Sequence, residues 1–413
     1  MEAKTLGLET EVQDFIPYFI GEFTDNYRNY YIDLNIGTAL QLQRHDGSQR
    51  KKINPILQLA NPDDAEIIAA LFFQAYDGTY PYKEFEDVEE LSKMIDKGLI
   101  NFVLFKKKSG EILGCLKFVL DFENKRGYQG GMAVWNKYLG KIDVVKAYIG
   151  SCIFFYTHFS DRICLWYGEA RTAHSKVQYF CKKCGVWPLG MFPNKDVFIN
   201  KIESDIFVIG YYKKTLDRYR SKNVPRIIPE ILRCFTYSNE RYNLGPVDIV
   251  NPRVNLDPNK LMKIQNNIYK EIIHDKFDYV HIKFKLPHSS SYFKFLYTPQ
   301  IQNFEKVEYN FDNLEELCVF IDEFLRLGRE LNIRYCEVFV SAYKPEVQKM
   351  FLSAGLRPRG YIPSWQYNKK LNWFEDKIIF NWFKGSISSD IELIQEGWEL
   401  FQILDLDLEK NNE

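Results

Sequence analysis

The sequence predicts a mixed α/β fold, an α+β arrangement with helices on a mixed sheet, present as two domains in tandem. The length of 413 residues suits two domains of ordinary size. The predicted elements of the first half run β, α, α, β, β, β, α, β, α, β, which differs from the strict alternation of a doubly wound sheet. Residues 177–193 return as residues 347–363, with six identities in seventeen positions at an offset of 170. These observations together predict an internal duplication.

The first predicted domain covers residues 54–222 and follows an N-terminal extension of residues 1–53. Its clearest helix start is Asn61-Pro62-Asp63-Asp64, which supplies an N-cap, a proline in the first helical position and an acidic first turn. Apolar periodicity, turn residues and helix-ending glycines place the other elements. They are a strand at 54–60, a second helix ending before 98, a hairpin over 101–122, a strand at 127–135, a helix at 143–159, a strand at 162–168, a helix at 174–185 and a strand at 204–213.

The second predicted domain covers residues 223–385, after a polar boundary with two prolines at 221–230. It repeats the closing β, α, β, α, β order of the first domain. Asp205 and Asp376 begin matching strands at an offset of 171, one gap away from 170. Residues 386–413 are predicted to form an acidic amphipathic helix and a tail. Strands are predicted at 277–286, 292–298, 335–342 and 375–385, and helices at 313–332 and 344–355.

Composition restricts the function classes. The 54 basic and 55 acidic residues give a net charge of -1, so nucleic acid is not expected as a partner. No signal peptide and no apolar run of ~18 residues is evident, which predicts a cytoplasmic protein without a membrane partner. The eight cysteines are scattered as reduced thiols would be. Cys181 and Cys184 form a CxxC in the last turn of a helix without further ligands nearby, so no metal is predicted.

Two segments carry a family resemblance. The words VWNKYLGK at 134–141 and HSKVQYFCKKCGV at 174–186 resemble motifs of the GNAT superfamily of acyl-CoA-dependent N-acyltransferases. The resemblance covers residues 54–214, and residues 169–185, 193–196 and 202–213, with the GTYPY segment, look like the β-lysine N-acetyltransferase branch. Residues 226–385 resemble a diverged GNAT copy that lacks the GKxG motif. The resemblance implies transfer of an acyl group, most simply acetyl, from acyl-CoA to the amine of a small molecule or amino acid.

The resemblance also implies where acetyl-CoA, or another acyl-CoA, binds as co-substrate. Its pyrophosphate would meet backbone N–H groups at the N-terminus of the helix after the central strand. The family would place glycines at positions 142 and 144, where this chain has isoleucine and valine. Asp143 would cap the same N–H groups, so two readings stay open: a variant loop with lysine charge, or a lost site that kept its cap. The predicted cofactor residues are Val134, Gly140, Lys141, Ile142, Asp143, Val144 and Lys146.

The reaction needs an amine without its proton and a proton for the leaving thiolate. The predicted catalytic residues are Glu169, His174 and Cys181, of which Cys181 takes the position of the family's tyrosine. Trp187, Tyr361 and Trp365 are predicted to bind substrate in a groove between the halves. Two other classes stay open: an aminoacyl-tRNA-dependent transferase of the Fem type, and a non-catalytic GNAT-like binding module.

Overall fold

A computed structural model of the chain describes residues 10–11, 15–30, 32–39, 42–43, 52–287 and 289–409. They form a mixed α/β fold, which confirms the predicted fold class. The chain divides into two compact units. The first comprises Met1–Pro188, Phe198–Asn200 and Phe207–Asp217, and the second comprises Leu189–Val197, Lys201–Ile206 and Arg218–Glu413. Within the described residues, no helix has both the length and the apolar character needed to cross a membrane.

The first unit is built from short N-terminal elements, two helices, a run of strands and two further helices. Its helices are α1 (Ile20–Asn26), α2 (Ala65–Tyr76), α3 (Val88–Asp96), α4 (Val144–His158) and α5 (Lys176–Lys183). Its strands are β1 (Thr10–Glu11), β2 (Thr38–Ala39), β3 (Leu42–Gln43), β4 (Ile56–Leu59), β5 (Asn101–Lys106), β6 (Ile112–Asp121), β7 (Arg126–Val134) and β8 (Leu165–Arg171). The strands β9 (Trp187–Phe198) and β10 (Lys201–Tyr211) contribute residues to both units.

The second unit has a similar series of elements. Its helices are α6 (Leu232–Tyr242), α7 (Pro258–Gln265), α8 (Leu314–Glu330), α9 (Pro345–Ser353) and α10 (Gln395–Ile403). Its strands are β11 (Arg226–Ile227), β12 (Asp248–Ile249), β13 (Tyr269–His274), β14 (Val280–Lys285), β15 (Tyr292–Thr298), β16 (Asn303–Asn310), β17 (Tyr335–Ser341), β18 (Arg357–Asn368) and β19 (Trp373–Phe383).

The sheet of the first unit runs in the order β2, β4, β5, β6, β7, β8 and the C-terminal part of β10. The pairs from β2 to β7 are antiparallel, whereas β7 and β8 are parallel. The register of β6 and β7 shifts between Cys115 and Lys117, opposite Gly131, whose φ of 60° favours glycine. Such a bulge bends a strand and redirects its side chains.

The sheet of the second unit runs in the order β13, β14, β15, β16, β17, β19, β18 and β9. Here too the first pairs are antiparallel and one pair, β16 with β17, is parallel. The pairing of β18 with β9 joins Gly360 to Gly190, and a Cβ on Gly360 would lie 2.5 Å from the Leu189 carbonyl oxygen. Only glycine fits such an approach of two backbones.

The structure corrects the predicted element order at β9. This strand was not predicted, because Pro188, Pro193 and the polar run 194–196 are unusual within a sheet. It is buried at nearly every position. Two of its polar side chains have partners in the second unit: Lys195 Nζ lies 3.3 Å from Glu337 Oε2, and Asn194 Nδ2 donates to the Lys384 carbonyl oxygen at 3.2 Å. Satisfied polar groups make this burial tolerable.

Candidate active site of the first unit

The central feature of the first unit is the separation of its two parallel strands. β7 and β8 pair only where Arg126–Tyr128 meets Leu165–Tyr167. Beyond these three pairs β7 continues to Val134 and β8 to Arg171 without further pairing to each other. The strands are still in close contact one residue further, where a Cβ on Gly168 would lie 2.5 Å from the Gln129 carbonyl oxygen, and beyond that point they form no ladder with each other.

The loop that follows β7 leads into α4 and is fixed by one residue of the predicted N-terminal extension. Ile53 N donates to the Lys141 carbonyl oxygen at 2.8 Å, and Asp143 N donates to the Ile53 carbonyl oxygen at 2.9 Å. Gly140 is exposed with a φ of 74°, and no atom lies within 4 Å of the position that a Cβ would take. Ile142 is buried, while Lys141 is exposed. The loop thus presents an open glycine and a lysine beside the start of α4.

Asp143 caps α4, as the sequence predicts. Its Oδ1 accepts a hydrogen bond from Lys146 N at a length of 3.3 Å, and its Oδ2 lies 3.9 Å from Lys146 Nζ. The side chain is 7% exposed. Val144 and Val145 lie in the first turn, where N–H groups have no intrahelical acceptor. The amides of Val144 and Val145 and the ammonium group of Lys146 could therefore attract an anion, whereas the carboxylate of Asp143 would repel it.

A polar cluster around Glu111 fixes the 3₁₀ turn that precedes this loop. Lys107 Nζ lies 2.6 Å from Glu111 Oε2 and Lys137 Nζ lies 3.0 Å from Glu111 Oε1, while the Tyr138 hydroxyl donates to the same carboxylate. Hydrogen bonds from Lys107, Tyr138 and Lys137 lower the pKa of Glu111 to about 2. Because the turn spans Asn136–Tyr138, this cluster holds the N-terminal side of the loop 139–143.

A buried polar cluster connects β7, α4 and α5. Cys181 Sγ lies 3.1 Å from the Tyr148 hydroxyl and accepts a weak hydrogen bond from Gln129 Nε2 at 3.9 Å. The Tyr156 hydroxyl and Cys152 Sγ both donate to Gln129 Oε1. Burial raises the pKa of Cys181 to about 12 and also raises the pKa of Tyr148. Both groups therefore hold their protons at neutral pH, so Cys181 is not a thiolate.

The other predicted site residues of the first unit occupy separate places. Glu169 is half-buried near the end of β8. His174 is half-buried in the turn before α5, and its Nδ1 has no hydrogen-bond partner among the described residues. Val134 is 8% exposed at the end of β7. Trp187 is buried, and its Nε1 donates to the Pro17 carbonyl oxygen at 3.2 Å.

Tyr361 and Trp365 both lie in β18 of the second unit. Tyr361 is buried, its hydroxyl donates to Asp376, and its ring makes an edge contact with Phe235 at 5.0 Å. Trp365 stacks on Phe339 with ring centroids 5.1 Å apart. The substrate-binding roles of Trp187, Tyr361 and Trp365 remain predictions.

Sequence reasoning missed Gln129, Tyr148 and Tyr156. The sequence does contain a signal for two of them: Tyr148, Cys152 and Tyr156 recur at intervals of four residues and therefore share one face of α4. A stripe of polar side chains on a helix that is otherwise apolar indicates a buried hydrogen-bond network. Gln129 completes this network from the neighbouring strand, which only the tertiary structure reveals.

No protein-family model matches the chain, and no curated protein matches it in sequence. Some solved structures resemble part of it. Mutant forms of the spermidine/spermine N-acetyltransferase from Vibrio cholerae have 14% identity and a TM-score of 0.33, covering 40% of this chain and 99% of that chain. A ribosomal-protein-S5-alanine acetyltransferase from Vibrio fischeri has 14% identity and a TM-score of 0.32, covering 40% of this chain and 97% of that chain. The Vibrio cholerae spermidine N-acetyltransferase in complex with CoA and spermine has 15% identity and a TM-score of 0.32, with coverages of 38% and 95%. Similarities of this size identify no family for this chain.

Proposed function

We propose that the first unit is an N-acyltransferase that moves an acyl group, most simply acetyl, from acyl-CoA to the amine of a small molecule. The observation that carries the proposal is the three-residue parallel pairing of β7 and β8, followed by their separation beside the N-terminus of α4. This arrangement offers strand-edge hydrogen bonds to an amide-bearing arm and helix N–H groups to its phosphates.

The residues of the cofactor loop fit this ligand with one exception. The open space at Gly140 lets the backbone approach a phosphate, and Lys141 and Lys146 supply positive charge. Asp143 opposes the ligand's charge, but Lys146 Nζ is near enough, at 3.9 Å, to offset part of that charge. The loop therefore supports weak rather than tight binding of acyl-CoA.

When bound, acyl-CoA supplies the acyl group as a thioester, which a neutral amine attacks directly. A group of the protein must then accept a proton from the amine. A second group must donate a proton to the thiolate of CoA as it leaves. We assign proton removal to Glu169 or His174. We assign protonation to Cys181 together with Tyr148, since both are protonated at neutral pH and their polar atoms lie 3.1 Å apart.

We also propose that the chain arose by duplication of this fold. Gln178 Nε2 donates to the carbonyl oxygen of Arg171, the last residue of β8, at 3.4 Å. Gln348 Nε2 donates to that of Ser341, the last residue of β17, at 2.9 Å. Both glutamines are fully buried. Gln178 and Gln348 are 170 residues apart, and so are their acceptor residues Arg171 and Ser341. Equivalent buried hydrogen bonds in each unit support a common origin more strongly than sequence identities alone.

The second unit is proposed not to bind acyl-CoA. Its strands β16 and β17 pair in parallel for only two residues, as a copy of the site would. However, Glu316 in the first turn of α8 accepts from Asp312 N at 2.9 Å and from Ser291 Oγ at 2.6 Å. A buried carboxylate thus takes the place of an anion at this helix N-terminus. Phe351 is also buried and packs 5.7 Å from the ring of Tyr309.

The proposal is tested with the full chain by titration calorimetry with acetyl-CoA, followed by assays of thiol release with polyamines and free amino acids. We expect saturable binding and acceptor-dependent release of CoA. Lys141→Ala should weaken binding several-fold, whereas the control Lys97→Ala, an exposed lysine at the end of α3, should not. Binding without turnover would instead identify a binding module, and absence of binding at millimolar acetyl-CoA would refute the proposed site.

A further inference from the structure

The second unit contains a pocket that the proposed function does not use. Its volume is about 650 Å³, which lies within the range of ~300–1,000 Å³ typical of small-molecule sites. Its walls come from the beginning of α6, the end of α9, the beginning of β18 and the end of α10. Cys234, Leu352 and Ile403 contribute apolar wall, and three arginines line the same pocket.

Arg359 is the most informative of these arginines. It is only 9% exposed, and its Nη1 donates to the Leu404 carbonyl oxygen at 2.8 Å. Its Nε is buried and has no hydrogen-bond partner among the described residues. No described carboxylate forms an ion pair with it. Burial lowers the pKa of Arg359 to about 10, so the side chain is still charged at neutral pH. A buried cation with an unpaired donor is costly unless an anion joins it.

The second arginine, Arg357, is exposed and also lacks a carboxylate partner within the described part of the chain. Its Nη1 makes one long hydrogen bond, of 3.3 Å, to the Leu352 carbonyl oxygen. Arg357 and Arg359 flank Pro358 in β18, where the register with β19 shifts between Pro358 and Gly360. Both reach the pocket.

The carboxylates of the pocket are already paired with other cations. Asp405 forms an ion pair with Arg233, the third arginine, and both side chains are exposed. Glu230 lies 3.3 Å from Lys349 Nζ. Arg357 and Arg359 thus form no ion pair with a carboxylate among the described residues, although the charge of Asp405 acts on Arg359 and the Phe383 ring lies 5.8 Å from its guanidinium group.

We propose that this pocket binds the phosphate group of a small organic phosphate ester, with the apolar part of the ester packed against Cys234, Leu352 and Ile403. Two guanidinium groups that line one pocket offer several N–H donors, and each guanidinium matches phosphate oxygens in bidentate geometry. The inference is independent of acyl transfer, because every residue that it uses belongs to the second unit.

The test is titration calorimetry of the full chain with phenyl phosphate and with inorganic phosphate. We expect saturable binding of phenyl phosphate below ~1 mM and several-fold weaker binding of inorganic phosphate. Arg357→Gln, at an exposed position, should weaken phenyl phosphate binding about tenfold, because one bidentate contact is lost. Arg359→Lys should also weaken it, since lysine keeps the charge but not the planar fork.

Two controls separate the pocket from general charge effects and from the first unit. Arg326→Gln removes the same charge from an exposed arginine that pairs with Glu323 and Glu330 in α8, and it should leave binding unchanged. Lys141→Ala should also leave it unchanged. The proposal is overturned by an absence of saturable binding up to ~10 mM, by equal losses in Arg357→Gln and Arg326→Gln, or by equal affinities for the two phosphates.

Discussion

Replacing Asp143 by Asn should strengthen acetyl-CoA binding, an unusual outcome for a change within a proposed binding loop. Asparagine caps helices about as well as aspartate, so the bond from Lys146 N to residue 143 is retained while the negative charge is removed. For a ligand phosphate about 7 Å from the carboxylate, effective dielectric constants of about 20 to 40 give a repulsion of about 1–2 kcal/mol. Its removal raises affinity about five- to thirtyfold. Lys146, freed from a carboxylate 3.9 Å away, would add to the gain.

The assay is titration calorimetry with acetyl-CoA at two salt concentrations, because screening should reduce the difference between variant and parent. Asp87→Asn is a matched control, since Asp87 caps α3 in the same unit by accepting from Glu90 N. Asp143→Ala serves as a second control, since it removes the cap with the charge and should lower the free energy of unfolding by ~0.5–2 kcal/mol. Unchanged or weaker binding by Asp143→Asn would refute the placement of the pyrophosphate at α4.

Three further outcomes follow from particular contacts. The pKa of Glu111 is lowered to about 2 in the folded chain, so its stabilising contribution is present above pH ~4.5 and is lost as the pH falls from ~4.5 towards 2. Glu111→Gln should therefore flatten the acid limb of a plot of melting temperature against pH, and an unchanged limb would contradict this. Tyr148→Phe should lower kcat for acetyl transfer about 10²-fold with little change in KM for acetyl-CoA, and a loss under threefold in steady-state kinetics would exclude a role in proton transfer. Asp376→Asn leaves Arg220, whose side chain is 11% exposed, without its buried counterion, and should lower the free energy of unfolding by about 3–5 kcal/mol in urea titrations. The exposed Asp390→Asn should change it by less than ~0.5 kcal/mol, and similar values for the two variants would contradict the assignment.

Elements with strong local signals could be predicted closely from the sequence. The helix expected at 143–159 is α4 at Val144–His158, because an aspartate cap and a continuous apolar run define it locally. The helix expected at 313–332 is α8 at Leu314–Glu330, which Asn313 caps. Strand β9 could not be predicted, because its polar residues are paired with side chains and carbonyls distant in sequence. Strand propensity reflects only residues close in sequence, so it cannot reveal these distant partners.

The candidate site was predictable only in part, for a related reason. The loop 139–143 and its cap follow from residues adjacent in the chain. The contact of Tyr148 with Cys181 depends on how α4 packs against α5. The hydrogen bond from Gln129 to Cys181 depends on the path of β7. Cys181 was predicted as a catalytic residue from its position alone, and its surroundings could not be predicted: burial raises the pKa of its thiol, and the Tyr148 hydroxyl lies 3.1 Å from its Sγ.

The proposed duplication distinguishes residues that maintain the fold from residues that would perform chemistry. Asn194 and Ser364, 170 residues apart, both adopt positive φ values, 53° and 51°, although neither is glycine. In each case a side chain accepts the hydrogen bond of the strained residue's N–H: Ser204 Oγ for Asn194 and Asp376 Oδ1 for Ser364, both at 2.9 Å. Strain of this kind persists only where the surroundings enforce it, so its presence at both positions is what the proposed duplication predicts for a bend that maintains the fold.

The positions to which we assign roles in acyl transfer differ between the two units. Cys181 lies beside a tyrosine hydroxyl, whereas its equivalent Phe351 lies against the ring of Tyr309. In α4 the capping carboxylate of Asp143 accepts from Lys146 N, whereas in α8 the buried Glu316 carboxylate accepts from Asp312 N. A unit that does not need to bind a phosphate at a helix N-terminus, as we propose for the second one, can place a carboxylate there and gain stability. In the first unit the carboxylate at this place is Asp143, so one substitution there provides the sharpest test of the proposed acyl-CoA site.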